Sequence, residues 1–201
     1  MTSSTRLTWA AAALTGAALL VSCEATGDPA PTSSPTKTES LTHDGQTIQP
    51  AAAEDCSTPS REELRSFLGE TAKQIQAPAA KSSVKDGVTA LSCTYSLVPV
   101  AEGQAADPGN AVIIATTTVP DQARLDSLGI PRLMMSAGPV AGMDKTWFSI
   151  NKLSETTEYV LETVQGMTVI RAQLNLPAAG PEVSQAQEKL LQITGNRNKN
   201  R

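Results

Sequence analysis

Residues 158–175, EYVLETVQGMTVIRAQLN, decide the fold that this sequence predicts. Apolar, β-branched and aromatic residues interspersed with polar ones lie on both sides of Gln165-Gly166, as in two antiparallel strands joined by a tight turn. Glu158 and Glu162 alternate with apolar residues, so we expect them on the solvated side of their strand. A hairpin of this kind predicts an antiparallel sheet, with one face packed on a core and the other able to contact water.

The rest of the chain extends this prediction to a complete domain. The patterns indicate three more strands and three helices: strands over 88–100 (after the turn Lys85-Asp86-Gly87), 111–119 and 145–151, and helices that begin at Thr58-Pro59, Pro120-Asp121 and Pro181. Hairpins dominate, and no alternation of strand, helix and strand is present. The sequence therefore predicts an α+β domain, an antiparallel sheet of about five strands with helices packed on one face.

The N-terminal residues have the pattern of an export signal. Arg6 precedes an apolar run from Leu7 to Val21, which at about 15 residues is short for a membrane span. Leu20-Val21-Ser22-Cys23 resembles the lipobox of bacterial lipoproteins. The resemblance implies cleavage after Ser22 and a thioether from the Cys23 thiol to diacylglycerol, which anchors the protein by lipid. An ordinary secretory signal and an uncleaved membrane helix are the alternatives.

Four segments follow from these patterns. Residues 1–22 are the expected lipoprotein signal peptide, and 23–54 are a tether rich in Thr, Pro, Ser and Ala. Such a composition buries too little apolar surface to offset ordering entropy, so the tether is expected to be disordered. Residues 55–195 form the single α+β domain, and 196–201 are a basic, disordered tail.

Cys56 and Cys93 remain after Cys23 is assigned to the anchor. In an exported protein disulfides persist, and two thiols can pair in only one way, which predicts a Cys56–Cys93 bond. A metal or redox pair is the alternative. It is disfavoured because CxxC spacing is absent and His43, the single histidine of the sequence, lies in the tether.

Composition limits the classes of function. Aromatic residues are 3% of the chain and the net charge is −4, so neither a basic patch nor stacking side chains suggest nucleic acid. No nucleophile–histidine arrangement, metalloprotease motif or P-loop is present. We therefore expect a protein that is not an enzyme and that uses no cofactor.

Several short motifs together resemble the DUF3558-type lipoproteins of actinobacteria. They are Asp55-Cys56-Ser57, Ser60-Arg61-Glu62-Glu63-Leu64, Leu68-Gly69 and Leu91-Ser92-Cys93-Thr94-Tyr95. The resemblance implies a lipid anchor, a polar tether and a cysteine before a short helix. It implies little chemistry, because most members have no known function.

Met134, Met135 and Trp147 are the candidate ligand surface. Trp147 and Phe148 are neighbours in one predicted strand, so one should face the core and the other outward, and the methionines lie in the Pro131–Gly142 loop. Thioethers could also bind copper(I), but packing is the simpler interpretation.

We expect a lipid-anchored binding or interaction module on the extracytoplasmic face of the cell membrane. The membrane is its partner through the lipid, and a cell-wall component or a membrane protein is the further partner. The alternative is a carrier of a lipid or glycolipid in an apolar cavity, and a cell-wall enzyme ranks third.

Overall fold

The computed structural model describes residues 41–43, 46–50, 53–132 and 137–195. In these residues all strands belong to one antiparallel sheet. The strands are β1 (Leu41–His43), β2 (Gln46–Pro50), β3 (Ala79–Lys85), β4 (Val88–Ser96), β5 (Ala111–Thr118), β6 (Gly138–Pro139), β7 (Thr146–Lys152), β8 (Thr156–Gln165) and β9 (Thr168–Pro177). Their order across the sheet is β1-β2-β3-β4-β5-β9-β8-β7-β6.

The α+β class with an antiparallel sheet is confirmed, but the predicted size of about five strands was wrong. Seven strands have five or more residues, and the short β1 and β6 lie at the two edges. The sequence of β3, AAKSSVK, has few β-branched or aromatic residues and therefore gives a weak strand signal. Strands β1 and β2 lie within residues 23–54, the expected tether, so the sheet begins before residue 55.

Tight hairpins set the register of the sheet. Lys85 pairs with Val88, so the β3–β4 loop consists of Asp86 and Gly87, with φ angles of 49° and 74°. Two consecutive left-handed residues make a type I′ turn, for which Asp-Gly is a preferred sequence. In the β8–β9 hairpin Gln165 pairs with Thr168. A two-residue loop is too short for the strands to shift in register, so each hairpin fixes which residues pair across it.

The helices are α1 (Arg61–Leu68), α2 (Gln122–Ser127) and α3 (Ala186–Ile193). The N-cap of α1 is Ser60 and not the predicted Thr58. Ser60 Oγ accepts a hydrogen bond from the Glu63 N–H, and the Glu63 carboxylate accepts one from the Ser60 N–H, which is a capping box. Helix α3 begins at Ala186 and not at Pro181.

The main core lies between one sheet face and helices α1 and α3. Its buried residues include, from the helices, Leu64, Leu68, Leu190 and Ile193, and, from the strands, Cys93, Tyr95, Val112, Ile114, Leu161 and Leu174. A smaller cluster around Leu125 of α2 contains Val169 and Val164, whose side chains lie on the opposite sheet face. The prediction that all helices pack on one face is therefore wrong for α2.

The connection from β5 to β6 crosses this opposite face. In the sheet order β9, β8 and β7 lie between the two strands. Within residues 129–132, which we call the crossover segment, the Arg132 N–H donates to Glu162 Oε1 of β8 at 2.7 Å. The Arg171 guanidinium of β9 donates to the Arg132 carbonyl at 3.2 Å. Helix α2 lies on this face because it leads into the crossover.

Candidate functional site

Of the residues predicted for the lipid anchor and the ligand surface, the structure describes Trp147. Cys23, Met134 and Met135 lie outside the described residues. Trp147 is half-buried on β7, where it pairs with Glu162 of β8. Its neighbour Phe148 packs against the main core, so Trp147 points to the opposite face.

The predicted disulfide is confirmed. Cys56 and Cys93 are bonded, with their Cα atoms 5.7 Å apart. Beside the bond, the Tyr95 hydroxyl donates to the Cys56 carbonyl at 2.8 Å and lies 3.2 Å from the Pro59 carbonyl. Burial raises the pKa of Tyr95, because a phenolate would lose its hydration there. The disulfide and this phenol attach the segment before α1 to the middle of the sheet.

The sheet face opposite α1 and α3 is built mainly from polar and small side chains, and we call it the polar face. Strand register places one row of directly paired residues across it: Lys81, Ser92, Ala115, Arg171, Glu162 and Trp147. Residues two positions away on each strand lie on the same face. The polar face therefore extends from β3 to β7, and the crossover segment divides it.

A buried carboxylate stands where the crossover segment meets the sheet. The Glu162 side chain is fully buried, and its Oε2 lies 3.6 Å from the Arg132 Nε. The prediction that Glu162 lies on a solvated surface was wrong, because the chain after α2 covers it. With Arg171 the cluster contains two guanidinium groups and one carboxylate, so it carries one net positive charge.

Three polar atoms on the polar face are buried without a hydrogen-bond partner. They are Ser149 Oγ and Asn151 Oδ1 on β7, and Glu162 Oε2 on β8. Ser149 and Asn151 are each 2% exposed. Glu162 Oε2 faces the Arg132 guanidinium at 3.6 Å, so Ser149 Oγ and Asn151 Oδ1 are the two of these atoms that have neither a hydrogen bond nor an ion pair among the described residues. A buried polar atom left unpartnered costs about 1–3 kcal/mol.

The other part of the polar face, on β3, β4 and β5, is open, and we call it the open floor. Ser92, Thr94, Ala115 and Thr117 are half-exposed there, and Lys81 is exposed. A cleft of about 320 Å³ adjoins this floor, lined by residues of the floor, of the segment before β3 and of the loop after β4: Gln76, Ala77, Pro78, Ala79, Thr94, Ser96, Val100, Ala101, Gln104 and Ala106. Its lining carries amide and hydroxyl groups and no charge.

A second cleft, of about 210 Å³, lies beside the start of β8 and the end of β9. Lys152 Nζ and Glu182 Oε1 at its rim are 2.7 Å apart. The hydrogen bond and attraction from Lys152 lower the pKa of Glu182, and the same pair raises the pKa of Lys152. Both side chains are exposed, so this pair is a local ion pair at the rim of the cleft.

Sequence reasoning missed Lys81, Arg132, Arg171 and the burial of Glu162. A usable signal was present for two pairs. Counting back from the Gln165–Thr168 turn places Glu162 opposite Arg171, and counting back from Asp86-Gly87 places Lys81 opposite Ser92. Nothing local in the sequence indicates Arg132, because its position follows from the path of the crossover.

In the described part of the chain no helix has the length and apolarity needed to cross a membrane. The same residues contain no group of three His, Cys, Asp or Glu side chains that could hold a metal ion. No protein-family model, curated protein or solved structure matches the chain.

Proposed function

We propose that this chain is a lipid-anchored extracytoplasmic binding module, attached at Cys23 to the outer side of the cytoplasmic membrane and similar to the DUF3558-type lipoproteins. Two features of the chain support the location. Leu20-Val21-Ser22-Cys23 follows an apolar run as a lipobox does, and the Cys56–Cys93 bond belongs to an oxidising compartment.

The observation that supports binding is the polar face. A sheet face with no function would be covered by apolar side chains or solvated evenly, and this face is neither. It joins an open floor of mainly small and polar side chains to a region where two buried polar atoms, Ser149 Oγ and Asn151 Oδ1, have no hydrogen-bond partner among the described residues. Such groups call for a partner, and a polar group of a bound ligand would supply one here.

A binding module also accounts for the clefts better than a lipid carrier does. A carrier needs an apolar cavity large enough to enclose acyl chains. Two clefts of the described region measure about 320 and 210 Å³, and both include polar side chains in their lining. They suit small polar groups of a ligand.

Labelling with radioactive palmitate in the native host tests the anchor. The wild type should incorporate label and remain with the membrane fraction, whereas Cys23→Ala should do neither. Cys56→Ala is the control, because it removes a cysteine that carries no lipid. Normal incorporation of palmitate by Cys23→Ala would refute the anchor site.

Native mass spectrometry of the full chain, purified in detergent from its own host, tests binding. We expect a co-purified molecule on the wild type that is lost from Ala115→Leu, because Ala115 lies in the middle of the open floor. The matched control is Ala123→Leu, an exposed position on α2. A bound molecule that survives Ala115→Leu would remove the polar face from the proposal.

A further inference from the structure

The open floor of the polar face lies between two cationic side chains. Lys81 and Arg171 belong to the same row across the sheet, with Ser92 and Ala115 between them. Three strand spacings separate their backbones, which is about 14 Å. Because the intervening side chains are small, nothing on the floor separates the two charges.

Neither cation, Lys81 or Arg171, has a carboxylate within ion-pair distance in the part of the chain that the structure describes. Arg171 donates one hydrogen bond to the Arg132 carbonyl, and that acceptor is neutral. The one acidic group beside it, Glu162, already faces the Arg132 guanidinium. Two unpaired cations in a chain of net charge −4 are suited to an anionic group.

The cleft next to this row has a different character. Thr94 lies two residues from Ser92 on β4, so the cleft begins about 7 Å from the cationic row. Among its mostly Ala, Pro and Val lining stand the Gln104 amide, the Gln76 amide oxygen and the Thr94 hydroxyl, whereas the Ser96 hydroxyl is bonded to the Val98 backbone. Such groups donate and accept hydrogen bonds without charge, as a hydroxyl-rich ligand requires.

From this arrangement we infer that the polar face binds an acidic oligosaccharide, whose carboxylate or phosphate lies between Lys81 and Arg171 and whose neutral sugar enters the adjacent cleft. The inference rests on the proposed function, because it assigns a ligand class to the same face. Lys81 supplies a mobile ammonium, and Arg171 supplies a guanidinium that the crossover segment orients.

Two other occupants fit the floor less well. An extended peptide usually joins a sheet at an unpaired edge, but β3, β4 and β5 each have paired neighbours on both sides. A bilayer surface is flat, whereas the ligand site joins the half-exposed Ser92 and Thr94 to a cleft beside them. A slender ligand with hydroxyls and a negative charge reaches both the floor and the cleft.

Equilibrium dialysis of the full chain in neutral detergent tests the ligand class. The probes are trigalacturonate, neutral maltotriose of the same length, and triglutamate as an acidic peptide. We expect trigalacturonate to bind and the other two to bind at least about tenfold more weakly, since each lacks one of the two required features. Binding should weaken as salt is raised, because the contact is ionic.

Variants locate the site. Lys81→Ala should weaken trigalacturonate binding about tenfold, and Lys81→Arg should largely preserve it. Lys189→Ala, on α3 at the opposite face of the sheet, removes the same charge and should have no effect. Because Lys81 is exposed, its loss should leave the unfolding midpoint unchanged, which separates binding from folding.

Equal binding of triglutamate, equal binding of maltotriose, or full binding by Lys81→Ala would each overturn the inference. Absence of trigalacturonate binding would also overturn it. If native mass spectrometry still showed a ligand that Ala115→Leu loses, the ligand class would fall while the binding function stood. If that ligand were absent as well, both would fall.

Discussion

Removing the Cys56–Cys93 bond should lower the free energy of unfolding by about 4 kcal/mol. The two cysteines are 37 residues apart in sequence. In the chain-entropy model, closing a loop of this length removes roughly 13 cal/mol/K from the unfolded state, which is about 4 kcal/mol at 25 °C. The stabilisation therefore acts mainly by restricting the unfolded chain, and the folded structure should persist without the bond.

Urea unfolding of the chain without residues 1–22, oxidised and fully reduced, measures this effect through the fluorescence of Trp147 on β7, because the other tryptophan, Trp9, lies in the removed segment. Reduction breaks the bond but leaves both sulfur atoms in the core, so it isolates the cross-link. With a denaturant slope of about 2 kcal/mol per molar, the midpoint should fall by about 2 M. The double variant Cys56→Ala, Cys93→Ala should lose more, because two buried sulfur atoms also leave the core.

The result that would refute this reasoning is a midpoint that shifts by less than roughly 0.3 M although thiol titration shows complete reduction. The unfolded chain would then be restricted by something other than the disulfide. If the reduced chain were unfolded even without urea, the free energy of unfolding would come entirely from the cross-link, and the rest of the fold would have no net stability of its own.

Tyr95→Phe should cost about 1–2 kcal/mol in thermal unfolding, because it leaves the buried Cys56 carbonyl without its donor; a change below roughly 0.3 kcal/mol would contradict that role. Glu162→Leu removes the acceptor of the Arg132 N–H, so hydrogen exchange at that amide should accelerate at least about tenfold, whereas Glu162→Gln keeps an acceptor and should preserve protection. In an NMR titration the Glu182 carboxyl should ionise below the usual pH range of glutamate. The stabilisation from the Lys152–Glu182 pair should be present above the unfolded pKa of Glu182 and be lost as the pH falls through the lower folded pKa. In Lys152→Met the Glu182 carboxyl should titrate in the usual range of glutamate. If its pKa stayed as low as in the wild type, Lys152 would not be the cause.

The hairpins and the cysteine pair could be predicted from the sequence because their signals are local or leave one solution. From Glu158 to Asn175 the chain is rich in β-branched residues on both sides of a glycine turn, which favours a hairpin of two strands. The Asp86-Gly87 turn demands left-handed backbone at both residues, which this dipeptide tolerates. With Cys23 assigned to the anchor, the remaining thiols had one possible pairing.

The weak strands could not be predicted in the same way. Strand β3 consists largely of Ala, Ser and Lys, and its place in the sheet depends on pairing with β4 on one side and β2 on the other. Pairing energy comes from neighbours that are distant in sequence, so a local pattern does not contain it. The cap of α1 shifted for a similar reason, because Ser60 and Thr58 are both acceptable caps and the reciprocal Glu63 bond favours Ser60.

By itself the sequence determined the strand periodicity and the turns, since backbone conformation and side-chain direction act over a few residues. It also predicted the Cys56–Cys93 bond, because one pairing remained once Cys23 was assigned to the expected anchor. The tertiary structure alone decided the polar face. Glu162 is buried because a connection from the fifth strand to the far edge passes above it, and Lys81 shares a row with Arg171 because β4 and β5 lie between their strands. Those juxtapositions depend on the order of strands in the sheet, and strand order is a property of the whole chain.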